Sequence, residues 1–507
     1  MAPASKTVNL HPENYHPSTL EPTTFDVIVI GSGPCGRQVA SKTAAANLST
    51  VIIEDELWGG DCPFWACMPS KALLRPGEAL AAARQVGGAK QLISTDHKVD
   101  VNGVFARRDK IVHDYKDQFF VNLSLNQKCS VVRGKGSLLG EKKGLVKNAN
   151  GQEKTLTAKD AVIISTGSEP VIPDIKGIYD VDFWTPREAT SVKEVPEHLI
   201  IVGAGVVGSE MATAFATYGS KVSVITPTSE ILPRYEPEAA RRVREALIEQ
   251  NVEFHLSSRA VEVWKENGAT SVKLSSGTVI TGSTVLLAAG RRPRTKDIGL
   301  ETIGITPTLD VDPSMLVKPV EGQWLYAVGD TNMRSPMTHM GEYQGRIAAS
   351  AIIARARGQA SLSSEPWTEY AATADSLAAS QVVVTDPNLA TVGFTLAQAL
   401  KRGIKAQAVD VDFNFPGAWV YAEFDYDGWA RWVVDTENDV LVGATIVGRE
   451  AGDLLHASTV ALIGQVQLDR LIHAVPSFPT RSEVYGLLVE KWSSMRNSKK
   501  DERNAWE

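Results

Sequence analysis

Short apolar runs that end at glycines set the frame of this 507-residue chain. Phe25 to Ile30 (FDVIVI) is continuous and rich in β-branched residues, the pattern of a strand buried on both faces of a parallel sheet. It opens directly into Gly31-Ser32-Gly33-Pro34-Cys35-Gly36. A helical pattern follows to Ala46, and a second strand, Ser49 to Ile53, ends at Glu54-Asp55. In such a unit Gly31 permits the tight turn, Gly33 lets the backbone approach a pyrophosphate, and Gly36 lets helix and strand pack closely. Glu54 is placed to accept ribose hydroxyls, so the pattern predicts a bound dinucleotide.

The same pattern returns at Leu199 to Val202, with the turn Gly203-Ala204-Gly205-Val206-Val207-Gly208, a helix from Ser209 to Tyr218 and a strand from Lys221 to Ile225. This second strand ends at Thr226-Pro227-Thr228, without an acid. An acid there favours the free ribose of NADH and repels a 2′-phosphate, so its absence leans towards NADPH. Arg234, Arg241 and Arg242 downstream read better as a solvated helix face than as phosphate ligands.

Between the two units, Pro76 to about Leu125 reads as two helices with a loop near His97, Ser130 to Gly136 as one strand, and Ala161 to Ile164 as a short strand into Ser165-Thr166-Gly167-Ser168. Thr284 to Ala289 is a strand into Gly290-Arg291-Arg292-Pro293, and Trp324 to Val328 a strand into Gly329-Asp330. An acid at a strand's C-terminal end faces the ligand crevice of an α/β sheet, and the helix from Gly341 to Ala354 aims its N-terminus there too. From about Ser380 the pattern changes to short alternating runs: Gln381 to Val384, Ala390 to Gly393, Ala406 to Phe413, Trp419 to Phe424, Ala430 to Asp435 and Val440 to Val447. These predict an antiparallel sheet, followed by helices Asp453 to Ile463 and Arg481 to Trp492. The fold class is therefore α/β, with two Rossmann-type nucleotide-binding domains and a C-terminal α+β domain whose apolar content suits a homodimer interface.

Composition narrows the class. A hydrophobic content of 43%, a charged content of 22% and a net charge of -7 are those of a soluble globular protein with no call for nucleic acid or an anionic membrane. No run of 18 or more apolar residues is present to span a bilayer, and the cytosol is the expected location. The first 24 residues lack an apolar core and read as a disordered arm rather than a signal peptide, and the charged tail SSMRNSKKDERNAWE is expected to fray.

Four cysteines are too few to staple such a chain. Cys35, inside a glycine turn, and Cys129, in a strand-like run, read as inert packing residues. No second Cys or His pair stands beside the other two, which argues against zinc, and no metal site is expected. Cys62 and Cys67 lie in WGGDCPFWACMPSKALL, where Pro69-Ser70-Lys71 and an apolar run open a helix. Two cysteines so spaced across a helix start can approach within disulfide distance, and a helix N-terminus lowers a thiol's pKa. Taken alone, this spacing is only suggestive of a redox pair.

Together these residues resemble the class I pyridine nucleotide–disulfide oxidoreductases. The motifs are GSGPCG with Glu54, GGDCPFWACMPSK, STGSEP, GAGVVGSE, GRRPR, AVGDT and TDPNLATVGFT, in the family's order, and the likeness spans roughly Phe25 to Trp492. The resemblance implies FAD on the first glycine turn and NAD(P)H on the second. It implies an FAD domain of residues 25–168 and 291–375, an NAD(P) domain of 169–290, and a dimerisation domain of 376–507. The flavin's contacts would include Gly31, Ser32, Gly33, Pro34, Glu54, Asp55, Gly60, Asp61, Gly136, Thr166, Gly167, Ser168, Gly290, Arg291 and Gly329, with Asp330 on the ribityl chain and Met337, Thr338 and His339 near the pyrimidine end. Gly203, Gly205, Val206, Val207, Gly208 and Thr226 would hold the nicotinamide nucleotide. Lys71 and Glu210 resemble the ion pair beside flavin N5, Cys67 the flavin-facing thiolate, and Cys62 the interchange thiol.

One departure bears on the substrate. The family's disulfide reductases carry His-Pro-Thr and a nearby glutamate, donated by the other subunit as the acid–base for thiol exchange. Here the stretch is Ser477-Phe478-Pro479-Thr480-Arg481-Ser482-Glu483: Phe478 replaces the histidine and Glu483 remains. The upstream His473 reads as a packed or surface residue rather than a substitute. Phe64 and Trp65, between the cysteines, are expected to crowd or stack on whatever binds. A lost acid–base typically removes roughly 10²–10⁴-fold of rate. The expected substrate is accordingly a small disulfide or activated sulfur compound whose thiol leaves without protonation. The alternative is a quinone, a metal ion or another non-disulfide acceptor. Mercuric reductases also lack this histidine, but they deliver the ion through a C-terminal cysteine pair, and this chain has no cysteine after Cys129.

Overall fold

The computed structural model describes residues 4–93, 99–422, 424, 426 and 428–504. The loop expected near His97 and the last three residues of the tail lie outside the described residues. The first sheet is built on β1 (Thr24–Ile30), which is followed by α1 (Pro34–Ala45) and β2 (Thr50–Glu54). β1 pairs in parallel with β2 on one side and with the end of β6 (Glu153–Ile164) on the other. β3 (Ser130–Arg133) flanks β2, while β4 (Lys135–Leu138) and β5 (Lys143–Lys147) extend the far edge, giving the order β3-β2-β1-β6-β5-β4. The later strand Leu325–Ala327 returns to pair with β6. Val27 to Ile30 and Ile163–Ile164 are buried on both faces, as the unbroken apolar runs required.

The second sheet is parallel and centres on His198–Val202, between Lys221–Ile225 and Thr284–Leu287. The third is antiparallel, in the order Ser380–Val383, Asn388–Gly393, Val440–Gly448, Trp429–Asp435, Ala406–Asp412.

Several expectations are corrected. Trp419 to Phe424 is not a strand: Pro416–Ala422 is helical, with Gly417, Ala418 and Ala422 buried. A short apolar run cannot be told from a buried helical turn by periodicity alone. Ser130 to Gly136 is two strands, broken at Gly134, whose φ of 144° and N–H bond to the Glu54 carbonyl (2.8 Å) turn the chain. Ala161–Ile164 is only the doubly buried end of the longer β6; its first half alternates exposed and buried positions, a weaker signal. Pro76 to Leu125 holds parts of three helices: the end of α3 (Cys67–Gln85), then Val101–Ile111 and Gln118–Asn126. The helix Glu483–Asn504 continues into the tail that was expected to fray.

The N-terminal arm is ordered against the body of the protein. Ser5 bonds Glu188 and Ser191, Val8 and Leu10 pack on the Leu57–Phe64–Trp65–Tyr115 cluster, His11 meets the Asp55 carbonyl at 2.7 Å, and Leu20 is buried in the first sheet's core. Sequence polarity hid this because the arm contributes a few apolar contacts spread over a long, otherwise polar stretch. Burying Leu20 alone contributes about 1.5–3 kcal/mol. Deleting residues 1–20 is therefore expected to lower the midpoint of thermal unfolding by about 4 °C or more. Scanning calorimetry with an unchanged first transition would refute the packing role.

Candidate functional site

The β1–α1 turn is shaped to receive a phosphate. Gly31 has a φ of 106°, and a Cβ there would collide with the Ser165 carbonyl; one on Gly36 would collide with the Gly31 carbonyl. Gly33 instead faces open space, which leaves its backbone free for a ligand. The turn opens into a cavity of about 1030 Å³ that runs past Glu54, Gly136 and Thr166–Ser168 to Cys62, Cys67, Lys71, Glu210 and Thr338–His339. That is at the upper end of small-ligand pockets, which span roughly 300–1,000 Å³. The second glycine turn repeats the geometry: Gly203 has a φ of 113°, Gly205 faces open space, and Gly208 packs on the Gly203 carbonyl.

Most of the sequence-predicted contacts converge on this cavity. Gly31, Gly33, Pro34, Glu54, Asp55, Gly60, Asp61, Arg291, Asp330 and Met337 line it, as do Val206 and Val207 from the second unit. Ser32, Gly203, Gly205, Gly208, Thr226, Gly290 and Gly329 are not among its lining residues. Ser32 is buried and donates from both N and Oγ to Glu54 Oε2 (2.8 Å each), which anchors the acid. Burial pushes the Glu54 carboxyl up, against the hydrogen bonds from Glu56 and Ser32. Asp330 accepts a 2.5 Å bond from Ser168.

The redox stretch is anchored at its start. Trp58 is fully buried, its N–H donating to Asp117 (2.7 Å) and its indole to Ser124 (3.0 Å). Gly60, with a φ of 75°, then begins the single turn α2 (Asp61–Phe64), and Cys67 is the first residue of α3. Cys62 and Cys67 are both free and line the same cavity. Hydrogen bonding from the Cys62 thiol, opposed by burial and aided by the Thr338 hydroxyl at 3.2 Å and the Lys71 charge, pulls Cys67 down to about 6. Cys62 is pushed up, first because it keeps the shared proton and then by burial. Lys71 Nζ lies 2.8 Å from both oxygens of Glu210, which is buried and also accepts from the Val384 N–H at 3.0 Å. The pair thus ties α3, the Val206–Thr217 helix and the C-terminal domain together at one wall of the cavity.

Other residues fall elsewhere than expected. Phe64 is fully buried against Phe120 and so does not crowd a ligand. Trp65 stacks on Tyr115 with ring centroids 4.9 Å apart and, as expected, lines the cavity. Thr338 sits on Cys67, a contact no local motif announces. His339 donates from Nε2 to the Ser380 carbonyl at 2.8 Å. Within one chain Phe478 and Glu483 are not among the residues lining the cavity; Phe478 is 74% exposed, and Glu483 accepts from the Thr480 N–H at 3.0 Å. Cys35 packs against Gly329 and Gly341 and is pushed up to about 12 by burial; Cys129 is pushed up to about 11 by the same cause. Both are inert, as expected. Arg241 and Arg242 pair with Glu238 on a helix face rather than with the second glycine turn. Among the described residues no cluster of His, Cys, Asp or Glu is arranged to hold a metal ion, and no helix is long and apolar enough to cross a membrane.

Sequence comparison identifies two family models along the chain. One, described as pyridine nucleotide-disulphide oxidoreductase, matches residues 25–345; the other, that family's dimerisation domain, matches residues 379–488. Among similar proteins are the dihydrolipoyl dehydrogenase of Bacillus subtilis (strain 168), 28% identical over 91% of this chain and 95% of its own length. A mercuric reductase of Staphylococcus aureus is 27% identical over 90% of this chain and 81% of its own. Similar solved structures include the HOCl-induced flavoprotein disulfide reductase RclA from Escherichia coli in a Cu(II) complex, with a TM-score of 0.77 at 22% identity over 92% of this chain and 99% of that one. LpdA from Mycobacterium tuberculosis has a TM-score of 0.79 at 22% identity, over 93% and 100%.

Because the folded pKa of Cys67 lies below that of an ordinary thiol, its ionisation stabilises the reduced fold above the ordinary value, and that stability is lost as pH falls through about 6. In the reduced protein, ultraviolet thiolate absorbance is expected to titrate with a midpoint near 6 for one thiol per chain. Thr338→Val, which removes a hydroxyl bond to the thiolate, is expected to raise that midpoint. A midpoint unmoved by the substitution would show the hydroxyl to be a bystander.

Proposed function

The chain belongs to the pyridine nucleotide–disulphide oxidoreductase family, and from that premise we propose the following division of labour at its site. It is an FAD-dependent oxidoreductase that passes electrons from a nicotinamide nucleotide through the flavin to a redox-active cysteine pair. The open Gly33 backbone, the anchored Glu54 and the large cavity fit FAD in the domain formed by residues 25–168 and 291–375. Bound there, FAD supplies hydride acceptance on one side and electron-pair transfer to sulfur on the other.

The chain's own residues do the rest. Lys71, held by Glu210 in a water-poor wall, keeps a fixed positive charge where negative charge develops during reduction. Cys67 holds the thiolate, with Cys62, Thr338 and the start of α3 stabilising it. Cys62 keeps the proton and is the sulfur that meets the substrate. The observation that carries this reading is the convergence of Cys62, Cys67, Lys71 and Glu210 on one cavity, with Thr338 3.2 Å from Cys67.

The substrate class follows from Phe478. The C-terminal domain exposes Val420, Tyr421, Phe424, Val475 and Phe478, more apolar surface than an isolated chain ordinarily leaves in water. We assign this face to a homodimer in which Phe478 of the partner subunit stands over Cys62. No acid–base is supplied there, so the departing thiolate must be stable unprotonated. A small disulfide with an acidic leaving thiol, or an activated sulfur compound, meets that need. The reductant is NADPH in this reading, because Thr226 turns to Thr228 (2.7 Å between hydroxyls) and no carboxylate ends that strand to repel a 2′-phosphate. The cytosol suits an enzyme that works with reduced thiols.

Cys62→Ser is expected to abolish disulfide turnover, by at least about 10³-fold, while flavin reduction by NADPH stays within about threefold. Retained disulfide turnover in a stopped-flow and steady-state comparison would remove Cys62 from its role. Across a series of disulfides, kcat/KM is expected to rise steeply as the leaving thiol becomes more acidic, with aryl disulfides exceeding dialkyl ones by about 10²-fold or more. Equal rates for the two classes would mean that a proton donor exists after all.

A further inference from the structure

Arg187 lies on the short helix Pro186–Thr190, between the edge strand Phe183–Trp184 and the central strand His198–Val202 of the second sheet. Its helix is held by a capping box between Thr185 and Glu188. Its guanidinium makes three contacts at once, all on the redox stretch or the strand end beside it. One nitrogen is 2.9 Å from Asp61 Oδ1 and 2.8 Å from Glu56 Oε2, and the guanidinium lies 5.2 Å over the Trp65 ring. Asp61 immediately precedes Cys62, and Trp65 lies between the cysteines. The same helix reaches that loop a second time, where Thr190 Oγ1 donates to the Trp65 carbonyl at 2.9 Å.

Asp61 therefore has both oxygens occupied, Oδ1 by Arg187 and Oδ2 by Arg291 at 2.8 Å. Burial alone would raise its carboxyl, but Arg187 and then Arg291 hold it below the usual range, so it stays charged. The residues between α2 and α3 are not held by a helix of their own: Ala66 has φ −128° and ψ −98°. Their position depends on what grips them from outside. A planar, always-charged fork that also stacks on an aromatic face is suited to fixing a carboxylate and an indole simultaneously.

We propose that Arg187 is a positioning residue of the redox pair, clamping Asp61 and Trp65 on either side of Cys62 so that the Cys62 thiol stays aimed at the Cys67 sulfur. It touches neither sulfur. It acts by fixing the loop between them, as a supporting shell must for a site whose hydrogen bond tolerates little misplacement. The clamp comes from the second nucleotide-binding unit, so it registers the cysteine pair, which follows the first sheet's strand β2, against that second unit.

The proposal rests on the redox-pair reading, and its test separates the two. Flavin-loaded protein is reduced with dithionite, and the thiolate midpoint is read by ultraviolet absorbance and by the pH profile of iodoacetamide alkylation, followed by mass spectrometry. Arg187→Met keeps a chain to lie on Trp65 but loses the charge and the fork. It is expected to raise the midpoint by about one pH unit, so that alkylation of the low-pKa thiol at pH 6 falls about fivefold. Arg187→Lys, which keeps a charge for Asp61, is expected to recover most of that loss. Thr190→Val, which releases the Trp65 carbonyl, is expected to shift the midpoint in the same direction and to add little to Arg187→Met, because both act on one loop. Should Arg187→Met fail to fold, Thr190→Val carries the test. Midpoints equal to wild type in the variants, with the low-pKa thiol present in wild type, overturn the clamp alone. Absence of that thiol in wild type overturns the clamp together with the redox-pair reading.

Discussion

One proton shared by two sulfurs governs the site. Cys62 keeps it and Cys67 uses it, and the separation of their pKa values follows from that single hydrogen bond more than from any other neighbour. A sulfur–sulfur hydrogen bond is weak and short in reach, so it survives only where the backbone on both sides is held. Trp58, bonded to Asp117 and Ser124, fixes the entry to the stretch. The first turn of α3, with its free N–H groups and the Thr338 hydroxyl, fixes the exit. Between them, Arg187 and Thr190 grip the short link of Trp65 and Ala66, whose own backbone bonds reach only to Asp61 and Ser70.

The charges around the pair are arranged so that none is buried alone. Lys71 answers Glu210, Arg187 answers Asp61 and Glu56, Arg291 answers Asp61, and Arg133 answers Asp117. Breaking the Arg133–Asp117 pair, the one buried on both sides, leaves an uncompensated buried charge, which typically costs about 3–5 kcal/mol, while the part-exposed pairs are screened and contribute less. The same economy explains the asymmetry of the chemistry. Positive charge and hydroxyl donors stabilise the thiolate on Cys67, the sulfur that interacts with Cys62. Phe478 is exposed and has no proton to offer a leaving thiol.

Much of the frame was legible in the residues. The glycine turns and the strands leading into them came from patterns in which a backbone constraint forces a residue type: only glycine fits φ values of 106° and 113° at Gly31 and Gly203. The pairing of Lys71 with Glu210 was implied only by the family resemblance. The misreadings had the opposite character. Trp419 to Phe424 is an apolar run equally compatible with strand and helix, and its neighbours decided for a helix. Phe64 looked like a ligand contact because it lies between the cysteines, but it is buried against Phe120 while its neighbour Trp65 lines the cavity, since proximity in sequence says nothing about which side of a turn a side chain takes. The N-terminal arm looked disordered because its anchoring contacts are few and spread along the chain.

What the sequence by itself determined is therefore the local machinery: two phosphate-binding turns and a cysteine pair at a helix start. These are written in spacing, because each needs fixed residue types a few positions apart. The Lys71–Glu210 pair, 139 positions apart, and the place of Phe478 were legible only through the family resemblance. Only the tertiary structure decided the support. Thr338 reaches Cys67 across 271 positions, Arg187 reaches Asp61 across 126, and Val384 reaches Glu210 across 174. No local pattern encodes such contacts, because the residues involved are ordinary ones until the packing of distant elements brings them to the same pair of sulfurs.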